Sequence, residues 1–428
     1  MKPENLEERL VWYCILGTYV FYFMGMFLPV NALFAWLLFL CVCRRILHQT
    51  DRTPVHERIQ IPWITWLWCI GMLVTLLSVY MGITDFKLGT NFLLRGIIGW
   101  ILTSGALALF FLSGCLPVRP QLIYRAVCIL CLQSLVVIPI AYAAAMAHLP
   151  PILFSSPIER LFQNGPIFYN VGFYEKEVDS TSIRLVLFAP WCPALGLISN
   201  VYFFLTLQER NRKWRFIGLV GAIAMNVVSV SRAALVTLPV VWAIMWLLQN
   251  FARPSIQILT GVISTLAGMF NATITTAIQD FLDAFTGSRA SSSRVRAALA
   301  RIALERFNEA PIWGHGTQEA GPKVVANMPI GSHHTWLGLL FAQGIVGFLA
   351  LAIPMLLSFI YLVTKIQHSA NARVALSVLL VLFMFSFGEQ VDVLAYLYWP
   401  GLMIMGIAFQ EKSDYQASVF SSTQTQNI

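Results

Sequence analysis

Ser332-His333-His334-Thr335-Trp336-Leu337-Gly338-Leu339-Leu340-Phe341-Ala342-Gln343-Gly344-Ile345-Val346-Gly347 is where the chain turns from polar to apolar. From Thr335 the run stays apolar to about residue 364, long enough for a helix to cross ~30 Å of hydrocarbon. Before it lies a long, arginine-bearing segment. Two adjacent histidines at the mouth of such a helix are poorly suited to packing. Imidazole changes protonation state near neutral pH, so a histidine at a wet membrane boundary is a candidate acid or base.

Composition extends that reading to the whole chain. Of 428 residues, 58% are hydrophobic and 11% charged, with a mean hydropathy of +0.71. A soluble domain carries about 25% charged residues, so the expectation is an all-α integral membrane protein. Residues 1–9 mix acidic and basic side chains and no small-residue cleavage pattern follows, so the first span is expected to stay. The eight cysteines lie in or beside apolar runs, which argues against a structural disulfide. Cys128 and Cys131, at helical spacing, read as small core residues.

Apolar runs predict about twelve spans: 10–28, 30–43, 61–83, 94–116, 121–147, 185–207, 214–230, 233–251, 256–278, 335–364, 373–388 and 394–410. The first two are expected to form a hairpin at Leu28-Pro29-Val30. Arg44, Arg45, Arg52, Arg58, Arg119, Arg210, Arg212, Lys213, Arg215, Arg253, Lys365 and Arg373 fall on one side when the N-terminus is cytoplasmic, which also puts the C-terminus there. The net charge of +8 is then mostly this topology signal and does not indicate nucleic-acid binding. The division is helices 1–5 over 1–147, an external loop over 148–184, and helices 6–9 over 185–278. A long external loop over 279–334, helices 10–12 over 335–410 and a polar tail, expected to be disordered, over 411–428 complete it.

The long loop departs from the orientation rule. Arg289, Arg294, Arg296, Arg301, Arg306 and Lys323 sit there, offset by Asp280, Asp283, Glu305, Glu309 and Glu319. Residues 291–307 read as a helix with an apolar stripe at Val295, Leu299 and Ile302, capped by Ser292 or Ser293 and ended by Pro311 and the Gly314-His315-Gly316 turn. Its arginines suit an anionic ligand or, as a structural alternative, lipid headgroups.

Three arginines mark external helix boundaries: Arg184 before the sixth span, Arg232 in Ser231-Arg232-Ala233-Ala234 between the seventh and eighth, and Arg289 or Arg294 past the ninth. An arginine in the apolar zone costs ~2.5–3.5 kcal/mol on insertion scales, so it normally has a partner or snorkels. A guanidinium fork fits phosphate oxygens bidentately, and converging arginines suit a diphosphate at the membrane surface. With a histidine level with them, the set suits a transferase. The arginines hold a diphosphate leaving group and the histidine takes a proton from an incoming hydroxyl. The first external loop, Pro29-Val30, holds no carboxylate, no Asp-x-Asp occurs, and no His/Asp/Glu cluster has metal spacing. The expectation is a site that works with no metal and no cofactor. Accessory candidates are His334, His315, Ser231, Glu389 and Asp392. His315 also reads as a turn marker, and the two acids as helix caps or arginine partners.

At these residues the chain resembles the O-antigen ligase family, within the group that includes O-antigen polymerases. His333, His334, nine residues to Gln343, Gly344, Ile345-Val346 and Gly347 fit the family's late motif, with His334 in place of its usual small polar residue. Ser231-Arg232-Ala233-Ala234 and Pro311-Ile312-Trp313-Gly314-His315-Gly316 look like two others, and Arg184 matches an external arginine. The resemblance implies a C-type glycosyltransferase-like membrane fold in the bacterial inner membrane, with the active site on the periplasmic face. The donor would be a polysaccharide on undecaprenyl diphosphate and the acceptor a sugar hydroxyl of lipid A-core. His333 would be the base, Arg184 and Arg232 the diphosphate ligands, Arg289 or Arg294 helpers, and the anomeric outcome inversion. A polymerase of the same family shares these features. A flippase or transporter would show internal repeats and midplane charges, and neither is found.

Overall fold

Each of the twelve apolar runs contains helix in the computed structural model, which describes residues 1–50, 58–162, 165–176, 183–287, 290–325 and 327–411. The chain opens with α1 (Leu6–Leu16), α2 (Thr18–Phe23), α3 (Phe27–Leu47), α4 (Trp63–Asp85), α5 (Thr90–Leu102), α6 (Ser104–Ser113) and α7 (Pro120–Met146). Two small antiparallel pairs follow. β1 (Phe154–Ser155) and β2 (Asn170–Val171) flank the short α8 (Glu159–Phe162), and β3 (Tyr174–Lys176) pairs with β4 (Ile183–Leu185). Then come α9 (Cys192–Thr206), α10 (Arg212–Val228), α11 (Arg232–Asn250), α12 (Pro254–Met269), α13 (Asn271–Gly287), α14 (Ala290–Phe307), α15 (Thr335–Val363), α16 (Ala370–Phe385) and α17 (Ala395–Gln410).

Six of these segments are long and apolar enough to cross a membrane, or seven if the bent pair α12–α13 counts as one. Among the described residues, six or seven candidate spans stand where the sequence leads one to expect about twelve. The reason lies in where the short helices sit. α9, α16 and α17 are buried along nearly their whole length. A helix wrapped by other helices does not meet lipid, so hydrocarbon thickness does not set its length.

Lipid-facing character is legible on α4. Trp63, Trp66, Ile70, Leu73, Leu77 and Tyr80 form an exposed stripe, while Ile64, Trp68, Met72 and Val79 are buried. An apolar face left open over the full helix, with aromatic residues near its two ends, is what a hydrocarbon solvent stabilises. Close helix contacts use small residues, as expected where lipid supplies no hydrophobic push. A Cβ on Gly71 would come within 2.4 Å of Ala350 O, and one on Gly406 within 2.1 Å of Phe111 O. Gly218 and Gly221 of α10 seat against Cys128 and Cys131, and all eight cysteines are free. Buried polar side chains satisfy the bends. Asn31 Nδ2 donates to Tyr396 O at 2.9 Å beside the kink in α17 at Tyr398, and Trp68 Nε1 donates to Ser358 Oγ at 2.9 Å.

Three local expectations change. The first hairpin turns at Met24-Gly25-Met26, with Gly25 at φ +63°, while Pro29 lies in the first turn of α3, where its missing N–H costs nothing. Cys14 pairs with Asn31 and Glu7 with Arg45, so the two arms run antiparallel. The run 256–278 is two helices meeting at 85°, because the sequence turns polar from Asn271 onward and α13 no longer shares the apolar surface of α12. The sixth run begins as strand β4, so Arg184 sits in a β-hairpin and not at a helix start. α14 confirms the loop helix but begins at Ala290, placing Ser292 and Ser293 inside its first turn.

Segments read as cytoplasmic gather at one end of the bundle. Arg119 binds Glu8 at 2.7 Å, Arg125 binds Glu209 at 2.7 Å, Tyr124 donates to Asn371, and Gln410 to the carbonyl of Gln60. Residues 148–162, 165–176, 183–191, 308–325, 327–334 and 386–394 gather at the other end. Arg52 and the tail from residue 412 lie outside the described residues.

Candidate functional site at the end opposite the basic loops

Thr335 fixes the base of the site. Its N–H donates to Ser386 O at 2.9 Å, its hydroxyl donates to Glu389 O at 2.6 Å, and it accepts from Val391 N at 3.0 Å. Trp336 Nε1 adds a bond to Ser386 Oγ at 2.8 Å. The start of α15 is thereby bolted to the connection that carries Glu389.

The two histidines part company. His334 is the N-cap of α15, its Nδ1 accepting from Leu337 N at 3.3 Å, which satisfies one orphan donor of the first turn. His333 forms no such bond among the described residues and sits at φ +64°. That left-handed backbone is strained for a residue with a Cβ, at a cost of ~1–3 kcal/mol. Burial, with the Arg296 cation adding to it, pushes the His333 imidazole down to about 4, so it stands neutral at physiological pH. A neutral imidazole next to a cation is a free acceptor for a hydroxyl proton. Beside it, Ser332 Oγ is buried with no partner among the described residues.

Glu389 lies at the centre of the charges, 2% exposed. Trp191 Nε1 donates to it at 2.8 Å and Arg296 Nη2 lies at 3.5 Å. Burial pushes its carboxyl up to about 7, against the pull of Arg296, the Trp191 N–H and Arg184. Sequence reasoning passed over Arg296 in favour of Arg294. α14 buries Leu299 and packs Ala303 against Ile330 and Phe341, and Arg296, one turn before Leu299, shares that face. Arg294 is exposed. An i, i+3, i+7 reading through Arg296, Leu299 and Ala303 would have found it. Arg289 lies outside the described residues.

Arg184 approaches from β4, directly opposite Glu175 of β3, whose carboxylate accepts from the Cys192 thiol at 3.1 Å. The arginine is 9% exposed, and its Nε and Nη2 are buried with no hydrogen-bond partner among the described residues. Leaving such donors buried and unpaired is costly, and the Arg184 charge pulls the Glu389 carboxyl down against its burial.

Arg232 is the first residue of α11, half-buried. Ser231 is the N-cap, its Oγ accepting from Ala234 N at 3.4 Å, and Val230 before it is held at φ +47°. Gly196 of α9 packs against Ser231 and Ala234. This sets Arg232 at the end of the bundle where α9 begins with Trp191 and Cys192.

The glycine motifs interlock. Gly344 breaks α15 at φ +63°, and the 311–316 turn fills the break. Ile345 N donates to Pro311 O at 2.9 Å, His315 N to Phe341 O at 3.0 Å and Gly316 N to Ala342 O at 2.8 Å. A Cβ at Gly344 would fall 2.2 Å from Ile312 O, so only glycine fits. His315 is more than a turn marker. It is 1% exposed, stacked between Phe86 and Phe341, with Nδ1 3.0 Å from Phe341 O and Nε2 3.0 Å from Glu309. Its ring nitrogens are occupied, so it clasps the loop. Arg306 braces the same loop through Glu309 and Glu319. Asp392 is half-buried; burial pushes its carboxyl up to about 6, while backbone N–H groups of Asp392 and Val393 pull the other way. Among the described residues, no three or more His, Cys, Asp or Glu side chains are grouped to hold a metal ion.

Fold and site define a polytopic membrane protein with a buried arginine–histidine–glutamate cluster at one end of its bundle. Residues 217–352 match the family model for O-antigen ligase. The match covers about a third of the chain. It takes in Arg232, Arg296, the 311–316 turn, His333 and Gly344, and leaves out Arg184 and Glu389. No curated protein matches the chain.

Proposed function

We propose that this protein is an O-antigen ligase. It transfers O-antigen polysaccharide from undecaprenyl diphosphate to a sugar hydroxyl of lipid A-core, on the periplasmic face of the bacterial inner membrane, with both termini cytoplasmic. The observation that carries the reading is Arg184, a buried guanidinium whose Nε and Nη2 have no partner among the described residues and whose charge acts on Glu389. A diphosphate is the ligand that would complete it. Arg184 and Arg232, with Arg296 and the loop arginines Arg289 and Arg294, bind the diphosphate oxygens in this reading. His333 takes the acceptor hydroxyl proton as that oxygen bonds to the anomeric carbon. The bond from this carbon to the phosphate oxygen breaks, and undecaprenyl diphosphate leaves with the electron pair. In-line attack inverts the anomeric centre. The cations carry the leaving-group charge, so no metal is required.

An O-antigen polymerase would share every one of these residues. The experiment that separates the two is the lipopolysaccharide profile of a deletion strain. Loss of all long chains, with long polymer accumulating on the lipid carrier, is expected of a ligase. A core bearing a single repeat identifies a polymerase instead and contradicts the proposal.

A further inference from the structure

At the opposite end of the bundle, the start of α1 and the end of α3 enclose a cleft of about 450 Å³, lined by Leu6, Glu7, Cys41, Arg44, Arg45 and His48 among others. Its one carboxylate is already committed, with Glu7 Oε1 2.6 Å from Arg45 Nε. Nearby cations are satisfied in the same way, Arg119 by Glu8 and Arg125 by Glu209. Arg44 differs: its side chain makes no hydrogen bond or ion pair among the described residues. His48 follows it at i+4, on the same helix face.

That face continues into the membrane. Leu40, Leu37 and Leu33 precede Arg44 by four, seven and eleven residues, one helical stripe, and all three are exposed. A guanidinium and an imidazole thus cap a row of open leucines at the polar end of a spanning helix. We propose that this cleft binds one anionic phospholipid, its phosphate on Arg44 and His48 and an acyl chain along Leu40, Leu37 and Leu33. Basic clefts between spanning helices suit such headgroups. The apolar stripe is what favours a lipid over a free phosphate, which would have no use for it. This site is independent of the arginine–histidine cluster and of the function proposed for it.

The purified full chain in detergent is titrated with phosphatidylglycerol, phosphatidylcholine and inorganic phosphate, and bound lipid is counted by native mass spectrometry. Phosphatidylglycerol is expected to bind more tightly than phosphatidylcholine by about fivefold or more, the size of effect one basic side chain has at an anionic surface. Arg44→Gln with His48→Gln should erase that preference, Arg44→Lys should keep it, and Arg253→Gln, elsewhere among the basic loops, should leave it unchanged. Equal binding of the two lipids by the unaltered chain would overturn the proposal. So would a preference that survives the double substitution, or displacement of phosphatidylglycerol by equimolar inorganic phosphate.

Discussion

Replacing His333 with asparagine is expected to lower glycan transfer by ~10²–10⁴-fold, the usual contribution of a positioned base, while the protein inserts and folds normally. Asparagine tolerates the left-handed backbone that His333 adopts at φ +64°, so loss of activity would not reflect a broken loop. His333→Gly sharpens the test. Glycine removes the backbone strain outright, so its melting temperature should equal or exceed that of the unaltered chain although transfer is lost. That split is the signature of strain kept for function. Activity retained in His333→Asn would move the base elsewhere. His334 would then be the next residue to examine, although its ring already caps α15.

Arg184→Met is expected to have an equally large effect through binding. Two charge-assisted hydrogen bonds at ~1.5–3 kcal/mol each amount to roughly 10²–10⁴-fold in donor affinity. The substitution also removes a buried cation whose Nε and Nη2 have no partner. An apolar side chain of similar size should therefore leave the free protein as stable or more so. Donor binding measured by titration and melting temperature measured without donor should move in opposite directions. If Arg184→Met melts several degrees lower and binds donor normally, the guanidinium is a structural strut and the diphosphate assignment fails.

Much of this arrangement was legible in the chain because hydrocarbon imposes a simple rule. Each apolar run of sufficient length contains helix, and the short basic loops group at one end of the bundle. What periodicity could not show was how deep each helix lies. α9 and α17 are apolar all round, like lipid-exposed spans, yet they are short because protein surrounds them. Position in the bundle is a tertiary property with no local signature. The strand-borne placement of Arg184 was hidden for a similar reason, since Ile183-Arg184-Leu185 reads equally well as a helix start.

Within the site, residue types were more legible than partners. Charge at an apolar boundary singled out Arg184, Arg232 and Glu389, and the motif singled out His333. Arg294 was chosen over Arg296 for its place just past the ninth span, whereas the buried face of α14 runs through Leu299 and Ala303. Two residues along a helix turn the side chain by about 200°, which separates the exposed Arg294 from Arg296 beside Glu389. Trp191, which donates to Glu389 at 2.8 Å, gave no sequence signal because it is distant in the chain and aromatic among many.

The most direct test of the central claim is transfer by the purified chain in EDTA, with lipid-linked polysaccharide as donor and lipid A-core as acceptor. The account predicts glycan on lipid A-core and release of one undecaprenyl diphosphate for each glycan transferred, undiminished by the chelator. Glycan that only lengthens on its lipid carrier, or transfer that stops in EDTA and returns with a divalent metal, would contradict it.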